Sequence, residues 1–274
     1  MKEQVAQILE QIEQRFGVQI LFALESGSRM WGFASTDSDY DVRFVYKHTA
    51  AQYCGVYEPT QVLDINSFDK NAENPETPLW AHPLDFAGWD IRKALHLTHM
   101  GNATLGEWVR SPIIYRDHPV RDAIHCIART EFQQQRYFQH YRSMARADLM
   151  GNPEKFGVKK ALYALRCLLS AHWVFYHNTL HPVELKVLVD QYRQSSSVEP
   201  DASTIKELYE VLYSLKMTGA EQSRIPDEQQ EKLLPLLTLH KWCGTVGHQV
   251  QQLSQERLDA LGERCSAVMT KYVL

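Results

Sequence analysis

The stretch Glu25-Ser26-Gly27-Ser28-Arg29-Met30-Trp31-Gly32-Phe33, followed by Ser38-Asp39-Tyr40-Asp41-Val42-Arg43-Phe44, joins a Gly-Ser turn of the phosphate-binding kind to an alternating pair of carboxylates. Metal-dependent transfer of a nucleotidyl group needs that combination. The apolar run Ile20-Leu21-Phe22-Ala23-Leu24 before the turn reads as a buried strand ending at Gly27. A glycine there lets the backbone bend and come close to a ligand. In Asp39-Tyr40-Asp41-Val42-Arg43-Phe44-Val45-Tyr46 polar and apolar positions alternate, so a strand would project Asp39, Asp41 and Arg43 from one face. Side-by-side carboxylates repel unless something neutralises them, and a divalent cation held by their oxygens does so most simply. Mg²⁺ is the expected ion.

The segment 25–44, a Gly-Ser turn followed after about ten residues by Asp-x-Asp on a strand, resembles the DNA polymerase beta nucleotidyltransferase superfamily. More narrowly, it is similar to the bacterial predicted nucleotidyltransferases of the RNA-repair-pathway type. The similarity extends through Gly88-Trp89-Asp90-Ile91-Arg92-Lys93-Ala94-Leu95 and Gly106-Glu107-Trp108-Val109-Arg110-Ser111-Pro112-Ile113-Ile114-Tyr115. The resemblance implies a third carboxylate on a neighbouring strand and favours Asp85, flanked by Leu84 and Phe86. Asp90, which opens a helical pattern and could serve the helix dipole instead, and Asp64, in Val62-Leu63-Asp64-Ile65, are the alternatives.

Roles follow from the chemistry the resemblance implies, in which a hydroxyl attacks the alpha phosphorus of a nucleoside triphosphate and pyrophosphate leaves. Asp39 and Asp41 would hold both of two Mg²⁺ ions, for which Mn²⁺ can substitute, and Asp85 the one that lowers the hydroxyl pKa. Gly27 and Ser28 would bind the beta and gamma phosphates through turn N–H groups and the hydroxyl. Arg29 and Arg43 could help neutralise the triphosphate or serve as ordinary ion-pairing residues. Trp31 and Phe33 are expected to pack beneath the turn rather than stack on a base.

These residues need a frame, and the pattern predicts an α+β protein. A small mixed β-sheet nucleotidyltransferase domain over 1–120 should precede an all-α helical bundle over 121–274. Met1 to Phe16 reads as an amphipathic helix with Val5, Ile8, Leu9 and Ile12 on one side. The polar stretch 71–78, with two prolines, predicts an exposed loop. Helical periodicity covers about 122–150, 154–177, 182–193 and 201–217, then two helices within 226–272. Gly151-Asn152-Pro153 should end the first of these. Within the second, Lys159, Tyr163 and Arg166 fall at i, i+4 and i+7, a face suited to a triphosphate and a base or to an ordinary interhelix contact. The resemblance implies a comparable Lys-x-x-x-Tyr-x-x-Arg pattern in a helical domain that closes on the nucleotide.

Bulk properties are compatible with this reading and, by themselves, uninformative. Net charge is −4, which argues against a broad basic field for nucleic acid but leaves room for a local groove including Arg92, Lys93, Lys159, Lys160 and Arg166. Five cysteines are scattered without close pairs, so neither a disulfide framework nor a zinc motif is expected. No apolar run approaches the roughly 18 residues of a membrane span, and no signal peptide is evident, so cytoplasmic residence and no membrane partner are expected. The resemblance favours an RNA end as acceptor, with a protein hydroxyl or a small molecule as alternatives. A noncatalytic nucleotide-binding regulator is the competing class. Oligomeric state is not legible in the residues.

Overall fold

The computed structural model describes residues 1–36, 38–65, 84–150, 156–218 and 225–273. The expected loop at 71–78 and the helix stop at 151–153 lie outside them. By contacts the chain divides into two compact units. A sheet unit comprises Met1–Met30, Asp39–Glu131 and Ser254–Leu274, and a helical unit comprises Trp31–Ser38 and Phe132–Leu253. The change of periodicity near 120 is therefore not where contacts divide the chain.

In the sheet unit, strands β1 (Gln19–Glu25), β2 (Tyr40–Lys47), β3 (Val62–Ile65), β4 (Leu84–Asp90) and β5 (Ile114–Arg116) form one sheet in the order β3-β4-β2-β1-β5. The β2–β4 pair is parallel and the other three are antiparallel, giving the expected mixed sheet. Both faces of the sheet are covered. Helix α1 (Lys2–Phe16) lays Val5, Ile8, Leu9 and Ile12 against Ile20, Ala23, Val42, Phe44 and Phe86. Full burial of each such aliphatic side chain is worth about 1.5–3 kcal/mol, so this face does much to hold α1 in place.

On the opposite face, Phe22, Leu24 and Val45 meet helices α4 (Ile91–His99), α5 (Ala103–Trp108), α6 (Pro119–Thr130) and α12 (Gln255–Tyr272). Leu261, Cys265 and Val268 bring α12 into that core. Glu131 ties it to the end of α6 by ion pairs with Arg257 at 3.0 Å and Arg264 at 2.8 Å. Two short helices, α2 (Gly27–Met30) and α3 (Ala50–Tyr53), connect strands.

The helical unit contains α7 (Gln134–Leu149), α8 (Val158–His177), α9 (Leu185–Gln191), α10 (Ala202–Met217) and α11 (Leu234–Val246), with a 3₁₀ helix over Asp227–Leu233. Helix α8 is buried almost all round, as the central helix of a bundle must be. The single helix expected over 122–150 is two, α6 and α7. The break at Glu131–Gln133 has no proline or glycine, and its stabilising partners are remote. The Gln135 N–H donates to Gln251 O, and the Gln134 side chain bonds the Val174 and Phe175 carbonyls. All five cysteines are free thiols. Among the described residues, no helix is long and apolar enough to cross a membrane.

Candidate active site

Parallel pairing of β2 with β4 sets Asp41 directly opposite Asp85. Residues in register on neighbouring strands share a face, so the two carboxylates stand side by side. Arg43, two residues further along β2, lies on the same face. Its Nη2 donates to Asp41 Oδ1 at 3.0 Å and to Asp85 Oδ2 at 2.7 Å, and its Nη1 donates to the Val42 and Asp85 carbonyls, both at 3.2 Å. Side-chain exposure rises from 17% at Arg43 through 27% at Asp41 to 40% at Asp85, so the pair opens toward solvent on the Asp85 side. Asp85 Oδ1 accepts no hydrogen bond among the described residues.

The turn after β1 is built around Asp41. The Ser26 N–H donates to Asp41 O at 2.8 Å, and Gly27 then takes φ +62°, a left-handed conformation. A Cβ at Gly27 would lie 1.9 Å from Asp41 Oδ2, so the carboxylate rests on the bare Cα of the glycine. Gly27 and Ser28 are both buried in α2. Arg29 donates from Nε to Asp39 O at 3.2 Å, and its guanidinium carbon lies 3.6 Å from the centre of the Tyr40 ring. Asp39 itself is exposed just before β2. Its carboxylate makes no hydrogen bond or ion pair among the described residues.

The two other carboxylates have structural occupations or positions of their own. Asp90 is buried as the N-cap of α4. It accepts from the Arg92 N–H at 2.8 Å and from the Tyr53 hydroxyl at 2.5 Å. Asp64, exposed on β3, pairs with Ala87 rather than with Asp85. Among the described residues, no three His, Cys, Asp or Glu side chains converge as a metal-holding group. Asp41 and Asp85 nevertheless supply hard oxygen donors that already converge on a positive nitrogen, the donor chemistry Mg²⁺ takes.

Sequence reasoning assigned no role to Glu25. It is fully buried at the end of β1, where Oε1 accepts the Asp41 N–H at 2.9 Å and Oε2 accepts the Tyr115 hydroxyl at 2.5 Å. The Ser111 hydroxyl closes on the Glu25 carbonyl at 2.6 Å. Glu25 thereby fixes the backbone that carries Asp41. Glu25 and Tyr115 lay inside matched motifs, but only the antiparallel β1–β5 pairing brings them together.

Burial pushes the Glu25 carboxyl above its ordinary range. The Tyr115 and Asp41 hydrogen bonds pull the other way, the Asp41 charge pushes further up and Arg29 pulls down. Burial and Glu25 likewise push the Tyr115 hydroxyl up. An acid whose pKa is raised on folding keeps its proton in the native state while the unfolded chain has lost it. Stability therefore falls as pH rises from the unfolded value near 4.5 through the raised folded one. Glu25→Gln, which mimics the protonated acid, is expected to remain within about 1 kcal/mol of wild type and to flatten that slope in urea melts between pH 4 and 8. Glu25→Ala, which orphans two partly buried donors, is expected to lose about 2–4 kcal/mol at pH 4 and less as pH rises. A Gln variant with an undiminished pH slope would remove Glu25 as the source.

In the helical unit, the residues Lys159, Tyr163 and Arg166 fall along α8 as the periodicity required. Tyr163 meets Trp31 edge-on at 5.2 Å and lies 6.0 Å from Phe33, and Lys159 Nζ stands 5.9 Å from the Tyr163 ring centre. Arg166 is 1% exposed, with its guanidinium carbon 3.9 Å from the Trp31 ring centre. Trp31 and Phe33 are buried, in keeping with their expected packing role. Lys159 and Tyr163 are half-buried.

Comparison with known proteins shows what this chain is similar to. A family model described as the RNA repair pathway DNA polymerase beta family matches residues 1–260. The uncharacterized protein YcgL of Bacillus subtilis (strain 168) is 34% identical over 212 residues, covering 76% of each chain. The crystal structure of a nucleotidyltransferase-like protein from Exiguobacterium sibiricum 255-15 aligns over 97% of this chain and 90% of its own, at 12% identity and a TM-score of 0.27.

Proposed function

Because the chain belongs to the RNA repair pathway DNA polymerase beta family, we propose that it transfers a nucleoside monophosphate from a nucleoside triphosphate to a hydroxyl acceptor, with an RNA end favoured, and releases pyrophosphate. The observation that carries this reading is the register of Asp41 against Asp85, with Gly27 drawn under Asp41. Asp39, Asp41 and Asp85 would hold the divalent cations. When bound, such ions lower the pKa of the attacking hydroxyl and balance charge on the departing pyrophosphate.

The chain's own groups do the rest. Asp85, the more exposed of the facing pair, has a carboxylate oxygen without a protein partner among the described residues and would accept the proton of the incoming hydroxyl at Oδ1. The Ser28 hydroxyl and the N–H groups of the turn would bind the outer phosphates. Arg29, held at the mouth by Asp39 O and the Tyr40 ring, would offset triphosphate charge. Glu25 would act as a positioning residue through Asp41 N–H. A triphosphate donor suits a cytoplasmic setting, which is part of the proposal.

The test is transfer of alpha-labelled ATP, CTP, GTP and UTP with Mg²⁺ or Mn²⁺ to total cellular RNA, to total protein and to no acceptor. Wild type is run beside Asp39→Asn/Asp41→Asn. Label retained on RNA with wild type only is the expected result. Label on protein alone would reassign the acceptor. Triphosphate binding without transfer to any fraction would make the chain a noncatalytic nucleotide-binding regulator.

A further inference from the structure

We propose that Arg43 is a built-in cation that holds Asp41 and Asp85 together in the metal-free protein, and that a divalent ion gains those oxygens only as Arg43 withdraws. This rests on the reading of Asp41 and Asp85 as metal-holding carboxylates. One nitrogen, Nη2, lies 3.0 Å from Asp41 Oδ1 and 2.7 Å from Asp85 Oδ2, so the guanidinium already fills the gap between two oxygens of the carboxylates that would hold an ion. Arginine stays charged at any working pH, so it cannot leave by losing a proton. Two cations cannot share one pair of oxygens without strong repulsion at this separation.

Arg43 is also difficult to displace. Nη1 adds bonds to the Val42 and Asp85 carbonyls, giving one guanidinium four acceptors, two of them charge-assisted. Every one of those acceptors belongs to β2 or β4, on either side of the facing pair. The free protein therefore binds metal weakly. A polyphosphate group, carrying several oxygens and more negative charge than the carboxylate pair, offers Arg43 a replacement partner. Metal and triphosphate then favour each other's binding, as any two ligands coupled through one residue must. Arg43 is a positioning residue in this account, and its effect is read in metal affinity.

Titration with Mn²⁺ alone, followed by electron paramagnetic resonance of the free ion and by calorimetry, tests this on the full chain. Wild type is compared with Arg43→Gln, Arg43→Lys and Asp85→Asn, and with Arg43→Gln/Asp85→Asn. Arg43→Gln is expected to bind Mn²⁺ at least about tenfold more tightly than wild type, and the added Asp85→Asn is expected to abolish that gain. Arg43→Lys, which keeps the charge but not the planar fork, should fall between and carries the test if the Gln variant does not fold. Equal affinity in wild type and both Arg43 variants, lost on Asp85→Asn, would overturn the role of Arg43 while leaving the carboxylates as metal ligands. Absence of Mn²⁺ binding in every variant would overturn both.

Discussion

Asp41→Asn and Asp85→Asn, made singly, are expected to lower nucleotidyl transfer by on the order of 10³-fold or more, equivalent to roughly 4 kcal/mol of transition-state stabilisation. Each substitution keeps the shape of the side chain and removes one negative charge from a facing pair of carboxylates. Both carboxyl groups are partly open to solvent, at 27% and 40%, and Arg43 retains one charged partner in either variant. The stability cost should then stay within about 1 kcal/mol, typical of exposed ion pairs. Asp90→Asn should behave in the opposite way. Asn caps a helix about as well as Asp, but its amide nitrogen cannot accept the Tyr53 hydroxyl, so the substitution is expected to cost about 1–2 kcal/mol without a specific loss of rate. Single-turnover rates paired with urea melts separate the two. A fully active Asp85→Asn beside a folded but inactive Asp90→Asn would move the third ligand to Asp90.

Gly27→Ala is expected to abolish transfer as completely as Asp41→Asn and, unlike it, to destabilise the fold by about 2–4 kcal/mol. Two effects combine. An L-residue at φ +62° costs about 1–2 kcal/mol, and the new methyl would sit 1.9 Å from Asp41 Oδ2, a separation no atoms tolerate. Either the turn or the carboxylate must move, and both belong to the site. Gly17→Ala is the matched control. Gly17 has nearly the same backbone angle, φ +60°, but nothing lies within 4 Å of its missing Cβ. It should show the backbone penalty alone and full activity. Activity in Gly27→Ala equal to that of Gly17→Ala would remove the contact with Asp41 from the catalytic account.

The local parts of this site could be read from residue order. The apolar run at 20–24 is β1, the alternation after Asp39 is β2 with Asp41 and Arg43 on one face, and the amphipathic face of α1 is buried as its spacing required. The alternative reading of Asp90 as a helix-terminal acid describes what that residue does in the fold. What the order of residues did not contain was register. That Asp41 faces Asp85, and that Arg43 spans both, depends on parallel pairing between strands about 40 residues apart. The Glu25–Tyr115 bond is likewise a product of long-range pairing, between partners separated by 90 positions in sequence. The spacing of Arg166 with Lys159 and Tyr163 suggests a face for a triphosphate and a base or for an ordinary interhelix contact. Arg166 lies inside because Trp31, far away in sequence, offers an aromatic face that accepts a guanidinium. The α6–α7 break was invisible because Gln251 and the α8 carbonyls, not local residues, satisfy it.

Helix α12, which supplies Leu261, Cys265 and Val268 to the core beside β1 and β2, imposes an order on biosynthesis. As the chain leaves the ribosome, residues 132–253 are translated before Ser254–Leu274 joins the sheet unit. Domains commonly fold as they emerge, amino-terminal first. Here the sequence of completion is inverted: residues 1–131 must wait with an incompletely covered apolar face while the later-made middle of the chain can already close. A truncation that stops short of α12 would leave that waiting state permanent, and a nascent chain stalled before residue 254 would present the same surface to chaperones.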